Sequence, residues 1–460
     1  MSNINNICTG CGGLLLYNAD LSHYSMSFFK SIKDYAFWDF KFAFPPIDND
    51  FMVSLSEGGT PLRTSKKLGA SLGVKNLFFK DETVNPTNSF KDRAAALLIT
   101  HARSWNYQKV VCASNGNQGA SIAAYASLEA MECANVIPEE IDVGKKAQMI
   151  AYNSKIITKG KTVDDAIREV LKPKYKNHYP CTPEHNPLTV EAQKTIAFEL
   201  FIQGAGLDWI IIPMGSGGLL VSLWKGYKEL KEANIINTIP RLVGVQSQAS
   251  SPIVNEFKED IEPNKIKNNT GQKSRALGIL VKKPSYHALA LKAIRETNGT
   301  ALAIPENVML TSAEELARKE GIFAEPASAL TISAVNVLIQ KEIIHKDDSI
   351  ACLITGSGLK TPHVLDAIST RAKTAGSGSI LSTKLKILSQ ISLSEKRGIH
   401  GSKLKEIIGS ISLPAIYQHL KDLEAKNLIS RKKEGKTVLY FITGNGKKAL
   451  EALDILITLL

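Results

Sequence analysis

One lysine lies where a strand-like segment gives way to a helix. Lys91 belongs to the segment 85–93, between an apolar run at 76–80 and an alanine- and leucine-rich stretch at 94–99. A lysine at such a junction is partly removed from water, and burial disfavours its ammonium form. The neutral amine is then a nucleophile toward carbonyl groups. An isolated lysine of this kind is usually a surface residue, so the prediction depends on what the chain places beside it.

Three further strand-like runs each end in a turn that can bind a polar ligand. Residues 114–119 expose N–H groups at the start of a helix, which favours a carboxylate. Residues 215–219 form a glycine-rich turn before another helix, where the close backbone and the helix dipole favour phosphate. The run 350–354 ends in the hydroxyl of Thr355. Because α/β sheets bind ligands at the carboxyl ends of their strands, we predict that these segments and Lys91 surround one site.

These segments, in this order, resemble those of the fold-type II pyridoxal-phosphate enzymes, and within that group those of the threonine synthases. The resemblance covers roughly residues 8–366. Its clearest motifs are Ser56–Leu62, Asn85–Arg93, Glu191–Thr195 with Ala197–Glu199, and Gly321–Ala329. It implies an α/β fold of two open, mostly parallel sheets flanked by helices, with pyridoxal 5′-phosphate bound between two subdomains.

The resemblance also implies a role for each residue of the site. Lys91 would hold the cofactor covalently and would move protons as a base and an acid. Thr355 would meet the pyridine nitrogen and, being a hydroxyl, would leave it largely unprotonated. The remaining cofactor contacts would come from Phe90, Asn117, Gly215, Ser216, Gly217, Gly218 and Leu219, and the substrate contacts from Ser114, Asn115, Gly116, Gln118 and Lys194.

The implied reaction converts O-phosphohomoserine and water to threonine and phosphate by β,γ-elimination and replacement. Two departures from the family pattern leave the substrate open. Thr189 stands where an arginine commonly meets the substrate phosphate, and Ser357 stands where a histidine is usual. Threonine cannot reproduce the bidentate phosphate contact of arginine.

Three alternatives therefore stand beside this reaction. Two are enzymes with the same machinery: a cysteate synthase that uses phosphoserine and sulfite, and a threonine or serine dehydratase. The third is of a different class, a DNA-binding regulator that senses pyridoxal phosphate or an amino acid. The intact lysine, carboxylate and phosphate segments favour an enzyme acting on a small amino acid.

The N-terminal extension and the composition indicate where such an enzyme would work. Residues 1–50 hold one Cys8-x-x-Cys11 pair, whereas a structural zinc site commonly takes two such pairs, so we predict no metal. The six cysteines of the chain have no framework spacing, which fits a reducing cytoplasm. With 44% hydrophobic and 22% charged residues, no long apolar run and no leader, we expect a cytoplasmic protein that makes no use of a membrane.

The C-terminal part has a charge and a pattern of its own. We assign residues 51–370 to the catalytic domain, residues 371–379 to a glycine- and serine-containing linker, and residues 380–460 to a separate small α+β domain. From Ala372 onward there are 15 basic and 7 acidic residues, so this short part carries +8 of the total charge of +12.

The pattern of residues 380–460 predicts three helices at 382–392, 402–408 and 413–424, a hairpin at 428–442 and a last helix at 446–460. A core-facing stripe is expected at helical spacing, formed by Leu413, Ile416, Leu420 and Leu423. The order of elements resembles a winged helix-turn-helix domain.

Two uses of this domain follow from the resemblance. With DNA as the partner, the second helix of the motif would enter the major groove, and the contacting residues would be Ser412, Ala415, Tyr417, Gln418, Lys421, Arg431, Lys432, Lys433 and Lys436. The last helix has an apolar stripe for pairing with a second copy, formed by Leu450, Leu453, Ile457 and Leu460. We therefore expect a homodimer.

Overall fold

The computed structural model describes residues 7–361 except 9, 11–12, 34, 205, 260–273 and 275, and residues 380–459 except 395–397, 409–410 and 435–436. By its internal contacts the chain divides into two units, Met1–Leu365 and Asp366–Leu460. Cys11 and the predicted linker at 371–379 lie outside the described residues.

The first unit alternates strands with helices. Its helices are α1 (Met26–Ser31), α2 (Leu68–Leu72), α3 (Lys91–Ser104), α4 (Asn117–Leu128), α5 (Val143–Ala151), α6 (Val163–Val170), α7 (Leu188–Ile202), α8 (Gly218–Glu232), α9 (Pro252–Glu259), α10 (His287–Glu296), α11 (Glu306–Glu320) and α12 (Pro326–Gln340). Its strands are β1 (Leu62–Thr64), β2 (Asn76–Asp81), β3 (Lys109–Ala113), β4 (Glu132–Ile137), β5 (Lys155–Thr158), β6 (Tyr179–Pro180), β7 (Trp209–Pro213), β8 (Arg241–Ser247), β9 (Thr300–Ile304) and β10 (Ser349–Ile354). Short 3-10 turns lie at Leu21–His23, Phe37–Ala43, Asn49–Phe51, Glu82–Val84, Pro173–Tyr175, Leu277–Ile279 and Gly358–Lys360.

Two sheets organise this unit. The larger has the order β1-β2-β10-β7-β8-β9 and is parallel except for β1. The smaller has the order β5-β4-β3-β6 and is parallel throughout. The central strands are unbroken apolar runs because helices cover both faces of a parallel sheet. The fold is thus the predicted α/β class, and each predicted strand ends in the turn expected of it.

Helix α7 lies in the middle of this unit, where its side chains from Leu188 to Leu200 are all buried. Helices α3 and α8 pack against it. A helix that is buried all round must pair every charge it carries. Among the described residues, no helix combines the length and the apolar character needed to cross a membrane.

A buried ionic cluster joins α7 to α3 and β2. Arg93 donates to Glu82 at 2.8 Å and to Glu199, while Lys80 Nζ lies 2.6 Å from Glu199 Oε2. All four side chains are fully buried and balance as two cations and two anions. Burial alone would raise the pKa of Glu199, but Arg93 and Lys80 hold it down at about 2. Because Arg93 lies two residues after Lys91, the first residue of α3, the cluster fixes the start of that helix.

The second unit combines four helices and one small sheet. The helices are α13 (Ile380–Leu393), α14 (Gly401–Ile408), α15 (Leu413–Ala425) and α16 (Gly444–Leu459). The strands β11 (Ile399–His400), β12 (Ile429–Glu434) and β13 (Thr437–Ile442) pair antiparallel in the order β11-β13-β12. These elements match the predicted helices and hairpin.

The core of the second unit corrects one predicted position. Ile416, Leu420 and Leu423 are buried on α15 as expected, whereas Leu413 is only half-buried. Leu413 is the first residue of the helix, one turn away from the centre of this core.

We predict that Arg93→Leu destabilises the protein by about 3–5 kcal/mol, because it leaves Glu82 and Glu199 buried with too little positive charge. Denaturant-induced unfolding measures the change. Arg103→Leu on the same helix is the matched control: Arg103 pairs with Glu129 at 3.1 Å near the surface, and its loss should cost about 1 kcal/mol or less. Equal losses for the two variants would contradict the role given to the cluster.

Candidate functional site

The turn that presents Lys91 is tied to the end of β10. Phe90 N–H donates to Thr355 O at 3.1 Å, and Ser357 N–H donates to Asn88 O at 3.1 Å. Asn88 adopts a left-handed backbone with φ of 60°, which asparagine tolerates better than most residues. Two loops far apart in sequence therefore form one edge of the site.

The amine of Lys91 lies in a buried environment at the first residue of α3. Its Nζ is 4.7 Å from the centre of the Phe90 ring. Burial lowers the pKa of Lys91, and electrostatic interactions with the side chains of Glu184, Cys112 and Glu325 offset only part of that effect. The neutral form of the amine is therefore populated at a lower pH than in an exposed lysine, as the sequence predicted.

The loop at 114–119 is shaped by its own serine. Ser114 Oγ accepts from the N–H groups of Gly116 and Gly119, each at 3.0 Å. Gly116 has φ of +146°, and a Cβ there would lie 2.3 Å from Lys145 Cδ, so only glycine fits. The result is a compact turn at the start of α4, where the first N–H groups have no partner within the helix.

The loop at 215–219 is a cradle of backbone groups at the start of α8. Gly217 has φ of +94°, and a Cβ there would lie 3.0 Å from Ala290 Cβ. Ser216 O accepts from Tyr286 N–H at 3.1 Å, which fixes the loop from the opposite side. The first N–H groups of a helix have no partner within the helix and attract anions.

A line of polar contacts closes the far side of the site. Thr355 Oγ1 lies 2.9 Å from Ser328 Oγ. Asn117 Nδ2 donates to the carboxylate of Glu325 at 3.1 Å, and Glu325 in turn pairs with Lys145 at 3.0 Å. Asn117 Oδ1 is buried and has no hydrogen-bond partner within the described part of the chain. This oxygen can accept a hydrogen bond from a ligand, or the amide can turn and offer its NH₂ group instead.

One cavity brings most of the predicted site residues together. Its lining includes Phe90, Lys91, Ser114, Asn115, Asn117, Gln118, Gly215, Ser216, Gly217, Gly218, Leu219 and Thr355. Gly116 shapes the adjoining loop without lining the cavity.

The structure corrects the assignment of Lys194 to the substrate. Its Nζ is fully buried and donates to Ala43 O at 2.9 Å, to Glu191 at 2.7 Å and to Glu229 at 2.9 Å. It faces away from the cavity, into a second buried ionic cluster that also includes Lys225.

The cavity also contains polar residues to which the sequence reasoning gave no role. Glu184, Gln193 and Glu325 all line it. Thr189, which differs from the family pattern, lines it as well. Burial raises the pKa of Glu184, and Lys91 offsets part of that effect. No periodicity marks Glu184, because it lies on the turn before α7 and meets Lys91 only in the fold.

The arrangement fits pyridoxal phosphate on three separate features. The buried amine of Lys91 suits an aldehyde, the glycine cradle at 215–219 suits a phosphate, and the hydroxyl of Thr355 suits a ring nitrogen. At Gly217 a side chain would need a left-handed backbone and would crowd Ala290 at 3.0 Å, so the backbone at this point of the cradle is left open to contact the ligand.

Comparisons of the sequence with known proteins indicate the same cofactor. A family model described as pyridoxal-phosphate dependent enzyme matches residues 53–356. The threonine synthase of Methanocaldococcus jannaschii is 37% identical over 364 residues, which cover 76% of this chain and 88% of the relative. The threonine synthase of Mycobacterium tuberculosis is 34% identical over 324 residues, which cover 69% of this chain and 86% of the relative.

Solved structures share the fold. Maize serine racemase matches with a TM-score of 0.57 at 19% identity, covering 69% of this chain and 94% of the racemase. A fungal L-serine ammonia-lyase from Rhizomucor miehei matches with a TM-score of 0.57 at 20% identity, covering 67% of this chain and 96% of the ammonia-lyase. At these identities the likeness concerns the fold alone.

We predict that Lys91 reacts with an amine reagent at lower pH than the exposed lysines do. Its pKa is lowered by burial, so its neutral form appears at a pH below the ordinary lysine value of about 10.4. Competitive trace acetylation of the cofactor-free protein across pH, read by peptide mass spectrometry, measures this. A Lys91 titration that coincides with that of the exposed lysines would contradict the environment described.

Proposed function

This chain belongs to the pyridoxal-phosphate dependent enzymes, and we propose that it is a threonine synthase-like lyase that converts O-phosphohomoserine and water to threonine and phosphate. The observation that carries the proposal is the single cavity in which Lys91, the 114–119 loop, the 215–219 cradle and Thr355 meet. The threonine synthases that are similar over most of their length support the choice of reaction.

Each part of the cavity has a task in this reaction. The cofactor, when bound, withdraws electrons from the carbon that loses a proton. Lys91 attaches the cofactor and then takes and returns protons at its Nζ. Phe90 supports the ring beside Lys91, and the cradle at 215–219 holds the cofactor phosphate through N–H groups.

The remaining contacts orient the ring and the amino acid. We assign Asn117 to the ring's 3-oxygen, and Ser114, Asn115 and Gln118 to the substrate carboxylate at the start of α4. Gly116 was expected to share this role, but its N–H donates to Ser114 Oγ, so we assign it to the shape of the loop instead. Thr355 faces the ring nitrogen with a hydroxyl that Ser328 holds at 2.9 Å. A hydroxyl would leave that nitrogen largely unprotonated, which suits elimination and replacement better than transamination.

The substrate phosphate needs a different account from the one the family pattern gives. Among the described residues that line the cavity, Lys91 is the only one with a cationic side chain. Thr189 and Gln193 offer neutral donors instead. Neutral donors bind phosphate less tightly than arginine does, so we expect a modest affinity for O-phosphohomoserine.

We predict that Lys91→Ala abolishes formation of threonine and phosphate from O-phosphohomoserine, because no other group among the described lining residues can both attach the cofactor and carry the proton. Phosphate release with identification of the amino-acid product measures this. Lys75→Ala, at an exposed lysine paired with Asp347, is the control and should retain the rate.

The product decides between the proposal and its alternatives. Cysteate from phosphoserine and sulfite, or a 2-oxo acid and ammonia from threonine or serine, in the absence of threonine formation, would replace threonine synthase with one of the related reactions. Retained DNA affinity in an unreactive wild-type protein would favour the regulator.

For the second unit we propose a winged helix-turn-helix domain that binds duplex DNA, with α14 and α15 as the helix pair and β12–β13 as the wing. Tyr417, Gln418 and Lys421 are exposed on α15, and Arg431, Lys432 and Lys433 are exposed on β12. Lys436 lies outside the described residues. We also propose a cytoplasmic homodimer that pairs through α16. Leu450 on this helix is partly buried and packs against the core of the second unit. The side chains of Leu453, Ile457 and Leu460 are outside the described part of the structure.

We predict that the double variant Lys421→Ala, Lys433→Ala weakens the binding of full-length protein to duplex DNA. The slope of log affinity against log salt should fall by about one for each lysine that no longer pairs with a phosphate. Fluorescence anisotropy over a salt series measures both quantities. Lys386→Ala is the matched control, since Lys386 is exposed and lies on α13, which is not one of the proposed contact elements α15 and β12. Equal binding by all three proteins, or none at low salt, would contradict DNA as the partner.

A further inference from the structure

Glu184 lies on a turn that the structure holds on both sides. Pro183 O accepts from the Tyr286 hydroxyl at 2.8 Å. On the other side His185 N–H donates to Thr182 O at 2.9 Å, and Asn186 Oδ1 accepts from Leu188 N–H at 3.1 Å. These bonds fix the backbone of the turn at the edge of the cavity that the Glu184 side chain lines.

The neighbours of Glu184 are the two parts of the cavity that handle protons and phosphate. Its carboxyl group interacts electrostatically with Lys91 and hydrogen-bonds the Ser216 side chain. An ionised carboxylate beside a phosphate cradle would repel the phosphate, whereas a protonated carboxyl is neutral and donates a hydrogen bond. Lys91 and Ser216 each favour the ionised carboxylate, but burial outweighs them and raises the pKa of Glu184, which favours a glutamic acid that holds its proton.

Two unpaired donors lie on the helix that follows. Thr189 and Gln193 are four residues apart on α7 and so share one face. They are 3% and 1% exposed, and within the described residues Thr189 Oγ1 and Gln193 Nε2 have no hydrogen-bond partner. Unpaired buried donors are costly unless a ligand satisfies them, so this face of the cavity suits a group that accepts hydrogen bonds.

The leaving group of the substrate accepts hydrogen bonds, and the negative charge that develops on its oxygen must be neutralised. An arginine at position 189 would neutralise it, but this chain has a threonine there. Lys91 is the only cationic residue among the described lining residues, and its amine is already used to transfer a proton at the substrate carbon. A proton donor is the remaining way to neutralise the leaving oxygen.

We propose that Glu184 is a catalytic acid of this cavity, which protonates the departing oxygen while Thr189 and Gln193 hold the departing group. The carbon–oxygen bond breaks, its electron pair stays on the oxygen, and the proton of Glu184 moves to that oxygen. The carboxylate regains a proton from the ammonium of Lys91, which has taken one from the substrate carbon. The balance is the loss of one proton and one leaving group from the substrate.

This proposal rests on the proposed function for the identity of the departing group. The raised pKa of Glu184, caused by burial, agrees with it because the acid form then persists toward neutral pH. The same geometry would serve a hydroxyl leaving group, which needs a proton even more than phosphate does.

The first test is Glu184→Gln in the cofactor-loaded enzyme. We expect kcat to fall about 10²- to 10⁴-fold with little change in KM, and with the cofactor still attached to Lys91. The wild-type decline of kcat at high pH, where Glu184 loses its proton, should disappear in the variant. Glu139→Gln, at an exposed position, is the matched control. A variant that keeps both the rate and the decline would overturn the proposal.

The second test needs no turnover. In cofactor-free protein with ¹³C-labelled glutamate side chains, we expect a carboxyl resonance that titrates above the ordinary glutamate value of about 4.3 and vanishes in Glu184→Gln. The resonance of Glu57, whose pKa is also raised by burial, should remain in the variant. Titration of the Glu184 resonance in the ordinary range would overturn the acid role. A raised titration in a wild-type protein that forms no threonine would refute the proposed substrate and leave the acid in place for another leaving group.

Discussion

The balance of charge around Arg93 is the constraint on which the active cavity is built. Arg93, Lys80, Glu82 and Glu199 are removed from water together, and each is tolerable there only because the others are present. The four residues come from β2, the turn after it, α3 and α7. Satisfying them fixes where α3 begins, and hence where Lys91 lies.

A second buried cluster extends the same logic along α7. Lys194 and Lys225 pair with Glu191 and Glu229, and the hydroxyl of Tyr24 donates to Glu229 at 2.7 Å. Ion pairs with neighbouring elements thus hold helix α7 in place, while Thr189 and Gln193 on another face of the helix line the cavity. Rigid ionic anchoring on one side leaves the other side free to present neutral donors to a ligand. The chemistry of the site and the stability of the unit are carried by different faces of one helix.

Much of this was predictable from sequence because it is local. Apolar runs at 210–212 and 350–354 ended where glycine-rich turns began, and buried parallel strands with glycine at the following turn leave few other structures. Lys194 shows where local reasoning fails: it is adjacent to Gln193, yet successive helix residues point about 100° apart, so one lines the cavity and the other does not. The role of Glu184 could not be predicted from its neighbours in sequence, because that role depends on Lys91 and Ser216, which only the fold places beside it.

The lysine that carries the cofactor is the feature most open to direct measurement. Reduction of the cofactor-loaded protein with borohydride, followed by digestion and peptide mass spectrometry, locates that lysine. We predict a single pyridoxyl group on the peptide containing Lys91 and none on that peptide in Lys91→Ala. Label on the nearby buried Lys360, or spread over surface lysines with Lys91 unmodified, would contradict the site described.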